Sequence, residues 1–252
     1  MSALRLEGKV AIVTGAGAAG DGIGNGRAAA ILFAREGARV LLVDRDVALA
    51  EATQRMIAAE GGESAAFEAN VVREDDCRAM VEAALKRWGK LDILQNNVGI
   101  GSSGRVPDID EAAWERVLRV NVTSMMLSAK HAIPAMAAGG GGAIVNVSSI
   151  AAWRPRGLTP YATSKGAVEA MTRGLAADHA REGIRVNCIE PGLMYVSHAA
   201  ALRLSVARGT SAYDSRFLAA AQALNQPLVT EDRRLRALAP ELTCSLDDVL
   251  AR

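Results

Sequence analysis

One stretch restricts the possible folds of this chain more than any other. Residues 9–14 (KVAIVT) form a short, nearly continuous apolar run that ends directly in a glycine-rich loop, residues 15–26, followed by an apolar-periodic segment, residues 27–36. An uninterrupted apolar run of this length reads as a strand buried on both faces. A glycine loop between such a strand and a helix brings backbone N–H groups to the positive end of the helix, where a pyrophosphate binds well. Asp44 lies twenty residues beyond Gly24, at the end of a second apolar run, residues 38–43 (ARVLLV). A carboxylate there suits the two ribose hydroxyls of an adenosine and repels a 2′-phosphate, which favours NAD over NADP, with Arg45 beside it softening that preference. A glycine-rich structural turn is the bland alternative, and a lone G-x-G-x-x-G would not decide between them.

The same alternation continues along the chain. Helical patterns occupy residues 47–60 and 75–88, and the first of these stops at Gly61-Gly62. Weaker or shorter strands fall at 64–68, 91–95, 143–147 and 184–189. Residues 111–137 read as one long helix, bent or ended near Pro134, and residues 160–181 as another, stopped by Gly183. Strands alternating with helices in this way predict right-handed βαβ units. The expected fold is therefore α/β, a Rossmann-like doubly wound parallel sheet with helices on both faces. Half of the 252 residues are apolar, enough for a large core.

Tyr161-Ala162-Thr163-Ser164-Lys165 opens the last long helix. Residues four apart share a helix face, so the Tyr161 phenol and the Lys165 ammonium point into one cleft. An isolated phenol, with a pKa of about 10, is a poor base at neutral pH, and a fixed positive charge nearby favours the phenolate. Such a pair can pass a proton to or from an alcohol oxygen. Y-x-x-x-K is short, and a surface Tyr and Lys on an ordinary helix is an equally good reading of it alone.

Taken together, these motifs resemble the short-chain dehydrogenase/reductase family over about residues 5–195. The family's T-G-x-x-x-G-x-G is similar to Thr14-Gly15-Ala16-Gly17 followed by Gly22-Ile23-Gly24, with three extra residues in the loop. Its N-N-A-G is similar to Asn96-Asn97-Val98-Gly99, its acidic-valine pair at the adenine to Asn70-Val71, and its Pro-Gly beside the nicotinamide to Pro191-Gly192. The resemblance implies an NAD site at Gly15, Gly17, Gly22, Ile23, Gly24, Asp44, Asn70, Val71, Asn97, Gly99, Tyr161, Lys165, Pro191 and Gly192. It also implies a catalytic tetrad of Asn121, a serine, Tyr161 and Lys165. Asn121 would anchor a water between Lys165 and solvent. Family spacing to the tyrosine selects Ser148, whereas matching the strand selects Ser149 and puts a one-residue deletion in the loop. Loops tolerate deletions better than strands, so Ser149 is the expected residue. The implied activity is NAD-dependent hydride transfer between nicotinamide and a secondary alcohol or ketone. The implied assembly is a homodimer or homotetramer through helices 111–137 and 160–181.

Beyond Pro191-Gly192 the pattern changes. Val196 stands where the family has a threonine, with Ser197 beside it, and the usual Asp-Gly-Gly ending is not visible. Residues 196–252 are therefore expected to form an atypical C-terminal segment after a domain of residues 1–195. About residues 211–250 resemble the C-terminal part of PIN-domain ribonucleases, with Asp214 and Asp232 in place of two of that family's acids. Two carboxylates without their partners make a weak hard-metal site, so no metal is expected. The strand-like Leu228-Val229-Thr230 either completes the parallel sheet or belongs to a separate appendage. Two alternative functions follow: an NAD-binding protein whose catalysis is impaired by a replaced lid, and, less favoured, a PIN-like ribonuclease fragment.

Other features narrow the class. Twenty-nine basic against twenty-eight acidic side chains give no case for nucleic acid. Cys77, Cys188 and Cys244 lack metal or disulfide spacing, and no apolar run is long enough to cross a membrane, so a soluble cytoplasmic protein is expected. His131 and His179 sit on helical patterns without an acidic or Cys partner at ligand spacing and read as structural. Trp153, Arg154 and Arg156 lie between Ser149 and Tyr161, where arginines would suit an anionic substrate group and a solvated loop fits as well.

Overall fold

The structure is a computed structural model that describes residues 4–19, 23–154, 157–192, 218, 221–222, 228–230 and 233–245. The chain divides into two units, one of Met1–Ala19 with Gly24–Gly192 and one of Gly20–Ile23 with Leu193–Arg252. In the first, six strands are β1 (Val10–Thr14), β2 (Arg39–Asp44), β3 (Ser64–Glu68), β4 (Ile93–Asn96), β5 (Gly142–Val147) and β6 (Ile184–Ile189). They form one parallel sheet in the order β3-β2-β1-β4-β5-β6. Every residue of β1 is buried, as its uninterrupted apolar sequence requires at the centre of such a sheet.

The helices are α1 (Asn25–Arg35), α2 (Val47–Ala59), α3 (Glu74–Trp88), α4 (Glu111–Leu118), α5 (Ser124–Ala138) and α6 (Thr159–Asp178). Strand order reverses at β1, so right-handed crossovers send α1 and α2 to one face and the helices of later crossovers to the other. The main core lies on that second face. It joins Met80, Val81 and Ala84 of α3 with Leu127, Ala132 and Met136 of α5 over Val10, Ile12, Leu94 and Ile144. Local chemistry fixes several ends. Asp46 and Asp110 cap α2 and α4 by accepting backbone N–H groups, and Gly89 ends α3 in the left-handed conformation.

Two expectations change here. The long helical pattern is broken at Arg119–Thr123, a π-helical segment centred on Asn121, rather than at Pro134, which lies inside α5. The two histidines also have carboxylate neighbours: His131 Nε2 lies 3.4 Å from Glu74, and His179 Nδ1 lies 3.1 Å from Glu182. The His131 contact makes no hydrogen bond.

In the second unit, β7 (Leu228–Val229) pairs in parallel with β8 (Thr243–Cys244), joined through α7 (Arg233–Leu238). Leu218, Leu235 and Ala239 form its buried cluster. Leu228-Val229 thus belongs to a separate two-stranded sheet and does not extend the six-stranded one, which corrects the sheet-completing alternative. Val196, Ser197, Asp214 and Asp232 lie outside the described residues. Among the described residues no helix is long and apolar enough to cross a membrane.

Candidate active site

The reversal of strand order leaves a crevice beyond the carboxyl ends of β1 and β4, the place where open α/β sheets take ligands. A cleft of about 960 Å³ occupies it, lined by Gly15, Gly17, Asp44, Asn70, Val71, Asn97 and Gly99 among others. Those seven sequence-predicted cofactor residues are therefore brought together. Gly22 lies outside the described residues, and Ile23 is partly exposed.

The glycines are used for close approach. Gly15 has φ 64°, and a Cβ there would lie 3.1 Å from Asn97 Nδ2. A Cβ on Gly17 would meet Leu49 Cβ at 2.5 Å and Asp44 Oδ2 at 2.8 Å. The Gly17 N–H donates to Asp44 Oδ2 at 3.0 Å, and the Asp46 N–H donates to Oδ1 at 3.1 Å, so the carboxylate is fixed at the tip of β2. Asn97 donates from its side chain to Gly15 O at 3.2 Å and from its backbone to Thr14 Oγ1 at 3.1 Å, tying β4 to the loop. Asn70 Oδ1 accepts the Val72 N–H, and Val71 is buried.

The third close glycine is Gly26, which sequence reasoning missed. A Cβ there would overlap the Gly15 carbonyl oxygen, and α1 begins at Asn25, two residues earlier than expected. Gly24, with φ 58°, is the N-cap of α1. Gly26 is thus the glycine that meets Gly15, while Gly24 lies against Ala18 and the Gly17 carbonyl, which makes the loop longer than the Gly22-Ile23-Gly24 reading implied. Arg27 steadies it: its buried guanidinium donates to Thr53 Oγ1 at 3.0 Å and to Ala18 O at 3.1 Å, while Thr53 donates to Ala16 O at 2.8 Å. Arg27 and Thr53 are a polar pair between two helix patterns, and only their contacts reveal this task. Backbone-lined space of this kind, with the Asp44 carboxylate on its wall, fits a dinucleotide.

Tyr161 stands in the first turn of α6, which Pro160 opens from a position where its missing N–H costs nothing. Lys165 is one turn further, buried, with Nζ 5.6 Å from the Tyr161 ring centroid and donating to Val147 O at 2.8 Å. Burial lowers the Lys165 pKa to about 8, a shift only partly opposed by the neighbouring Cys188. A Cβ on Gly99 would lie 3.2 Å from Lys165 Nζ, so the end of β4 and the ammonium share one space.

Asn121 is fully buried and grips the following loop: Oδ1 accepts the Ile100 N–H at 2.8 Å and Nδ2 donates to Ile100 O at 3.0 Å. Nδ2 also donates to Ser164 Oγ at 2.9 Å, and Ser164 Oγ donates to Tyr161 O at 2.6 Å. The π-helical segment is thereby coupled to the turn that carries the tyrosine. Ser164 was a further omission, hidden inside the Y-x-x-x-K motif.

The two serines after β5 differ in kind. Ser148 is buried, donates to Lys165 O at 2.9 Å and faces Glu169 Oε1 at 3.4 Å, so its hydroxyl is committed to α6. Ser149 is partly exposed and its Oγ accepts the Ala151 N–H at 3.2 Å, leaving its proton available. Pro191 O accepts the Ile150 N–H at 3.2 Å, and Gly192 lies against Ile150, so Pro191-Gly192 sits beside the turn that carries Ser149. Trp153 is 69% exposed and Arg154 is also exposed; Arg156 lies outside the described residues.

A doubly wound parallel sheet with a glycine-lined crevice at its reversal point, and Lys165 of the Tyr–Lys pair against Gly99 of that crevice, defines a nucleotide-type α/β protein. Comparison with known proteins is specific. The family model described as short chain dehydrogenase matches residues 9–206. The chain is 40% identical over 190 residues to 2-(S)-hydroxypropyl-CoM dehydrogenase 3 of Xanthobacter autotrophicus, covering 75% of this chain and 72% of that protein. It is 35% identical over 190 residues to cyclohexanol dehydrogenase of an Acinetobacter species, covering 75% and 74%. Among solved structures, NAD⁺-bound xylitol dehydrogenase superposes with a TM-score of 0.72 at 33% identity, covering 81% of this chain and 77% of that one. The chain belongs to the short-chain dehydrogenase/reductase family, a family of oxidoreductases.

Proposed function

We propose that the protein is an NAD-dependent oxidoreductase that interconverts a secondary alcohol and its ketone. The observation that carries this reading is the Tyr161–Lys165 pair beside the glycine-lined crevice, with Ser149 free to donate and Ser148 committed elsewhere. The relatives named above act, by name, on alcohols of this kind.

A nicotinamide, when bound, would supply or accept the hydride; the protein's own groups handle the oxygen and its proton. Ser149 donates a hydrogen bond to the substrate oxygen and orients it. Tyr161 takes the proton from the alcohol in oxidation and returns it in reduction. Lys165, held by Val147 O, places a positive charge that stabilises the negative charge developing on the phenol oxygen. Asn121 is a positioning residue that fixes Ile100 and, through Ser164, the tyrosine's turn. In the cofactor site, Gly15, Gly17, Gly24 and Gly26 leave room where the pyrophosphate would lie, Asp44 would take the ribose hydroxyls, and Asn70 and Val71 would border the adenine. Asp44 supports NAD over NADP because its fixed carboxylate meets a 2′-phosphate with like charge.

In this reading residues 1–195 are the catalytic domain and 196–252 an accessory segment, and the assembly is a homodimer or homotetramer through the α4–α5 and α6 surfaces. The free thiols of Cys77, Cys188 and Cys244 support a reducing cytoplasm. One observation favours a second reading, an NAD-binding protein with weak turnover: the family match ends at residue 206 and leaves most of the 196–252 segment unmatched. A metal-dependent ribonuclease activity lost in Asp232→Asn would instead revive the ribonuclease resemblance. Parallel titrations with NAD⁺ and NADP⁺, followed by alcohol-dependent NADH formation, test the proposal. Tighter binding of NAD⁺ with turnover is expected; tighter binding of NADP⁺ would refute the role given to Asp44, and binding without turnover would favour the second reading.

A further inference from the structure

Two stretches far apart in sequence line the cleft and are tied together by one side chain. The first is the loop after β3, which contributes Asn70, Val71 and Val72; the second is the end of α4 and the π-helical segment that follows it. Arg119 opens that segment, two residues before Asn121. It is exposed, lines the cleft, and donates from Nη2 to Val72 O, 47 residues away. From the other side, Asp76 Oδ2 of α3 accepts the Asn70 N–H at 2.9 Å. The loop is thus held from both neighbouring helical elements, and Arg119 is the support that also borders the ligand space.

The Val72 bond uses one N–H of a guanidinium that has several. Arg73 and Arg105 each pair with a carboxylate three residues away, at 3.5 and 3.7 Å. Arg119 has no carboxylate within 4 Å among the described residues. One anchored donor fixes the plane of the cation while its other donors stay open to solvent. A planar cation held in this way is prepared to pack on an aromatic ring, and a nucleotide base offers one.

Resting on the dinucleotide site of the reading above, we propose that Arg119 is a cofactor-binding residue whose guanidinium, anchored on Val72 O, packs against the adenine. It brings the end of α4 into a site otherwise built from the glycine loop and the strand ends. The adenine lies remote from hydride transfer, so this contact holds ground state and transition state alike. It therefore sets the KM for the cofactor and leaves kcat alone.

The test is calorimetric titration of the full-length protein with ADP-ribose, which carries the adenosine and the pyrophosphate without the nicotinamide. Arg119→Ala is expected to raise the Kd about 10-fold, the scale of a lost cation–π contact. Arg119→Lys keeps the charge and a donor for Val72 O but has no planar face, so its Kd should stay at least about 3-fold above that of the wild type. The KM for NAD⁺ should follow these Kd values while kcat changes less than about 2-fold. An unchanged Kd in Arg119→Ala would overturn the contact. A wild-type Kd in Arg119→Lys would reduce Arg119 to a support of the Val72 loop and overturn it as well. If ADP-ribose does not bind the wild type, the dinucleotide reading falls and this inference with it; wild-type binding that ignores Arg119 removes the inference alone.

Discussion

Lys165 carries its charge in a buried place, with its pKa lowered to about 8 by that burial, and two pH effects follow. If turnover needs the ammonium, kcat falls as pH rises through about 8, and the fall is absent from any step that precedes chemistry. Stability moves the other way. The folded pKa lies below the ordinary 10.5, so between about 8 and 10.5 the unfolded chain binds more protons than the folded one, and the Lys165 contribution to stability rises with pH. Below pH 8 both states are charged and the cost of burying the ammonium is full. The difference in unfolding free energy between wild type and Lys165→Met, measured across that window, should carry this slope. At the neighbouring serines the two substitutions should separate cleanly. Ser148→Ala removes a buried hydrogen bond to α6 and costs about 1 kcal/mol in denaturant unfolding. Ser149→Ala leaves stability near wild type and lowers kcat about 10²-fold, the scale of a lost oxygen-stabilising donor.

Among the elements, the glycine loop and the interrupted helix teach most about what was legible. Strand, loop and helix could be read from residues 9–36 because a continuous apolar run, a glycine cluster and a helical period follow in order. Which glycines meet was not legible, since G-x-G occurs in both Gly22-Ile23-Gly24 and Gly24-Asn25-Gly26. Only the approach of α1 to the Gly15 carbonyl distinguishes them, and that is tertiary. Gly26→Ala should therefore weaken NAD⁺ binding at least about 10-fold and lower stability, whereas an alanine in open surface loops changes stability by less than about 0.5 kcal/mol. The helix break was misjudged for a related reason. Proline is the usual local breaker, but α5 runs through Pro134, and the interruption falls where Asn121 serves Ile100 and Ser164. Asn121→Ala would leave the Ile100 backbone groups unpaired and should cost about 2–3 kcal/mol in an unfolding titration.

For the whole molecule, the six-stranded parallel sheet was readable because its strands are short apolar runs at regular βα spacing. The choice between Ser148 and Ser149 rests in the sequence on the argument that loops absorb deletions; in the fold Ser148 is bonded to α6 while Ser149 is partly exposed, and the two alanine variants decide it by activity. The fate of residues beyond 192 was less legible, since Leu228-Val229 has the pattern of an edge strand and only its pairing with Thr243-Cys244 reveals a separate sheet. The account also makes a thermodynamic statement about the entire first unit. NAD⁺ at 100 times its Kd should stabilise the protein by about 2.7 kcal/mol, and NADP⁺ at the same concentration by clearly less. The most direct test of the central claim is the rate of NADH formation from NAD⁺ and secondary alcohols in wild type and Tyr161→Phe. The account predicts turnover in the wild type that falls at least about 10²-fold in the variant, with NAD⁺ binding retained. Full turnover in Tyr161→Phe would contradict it.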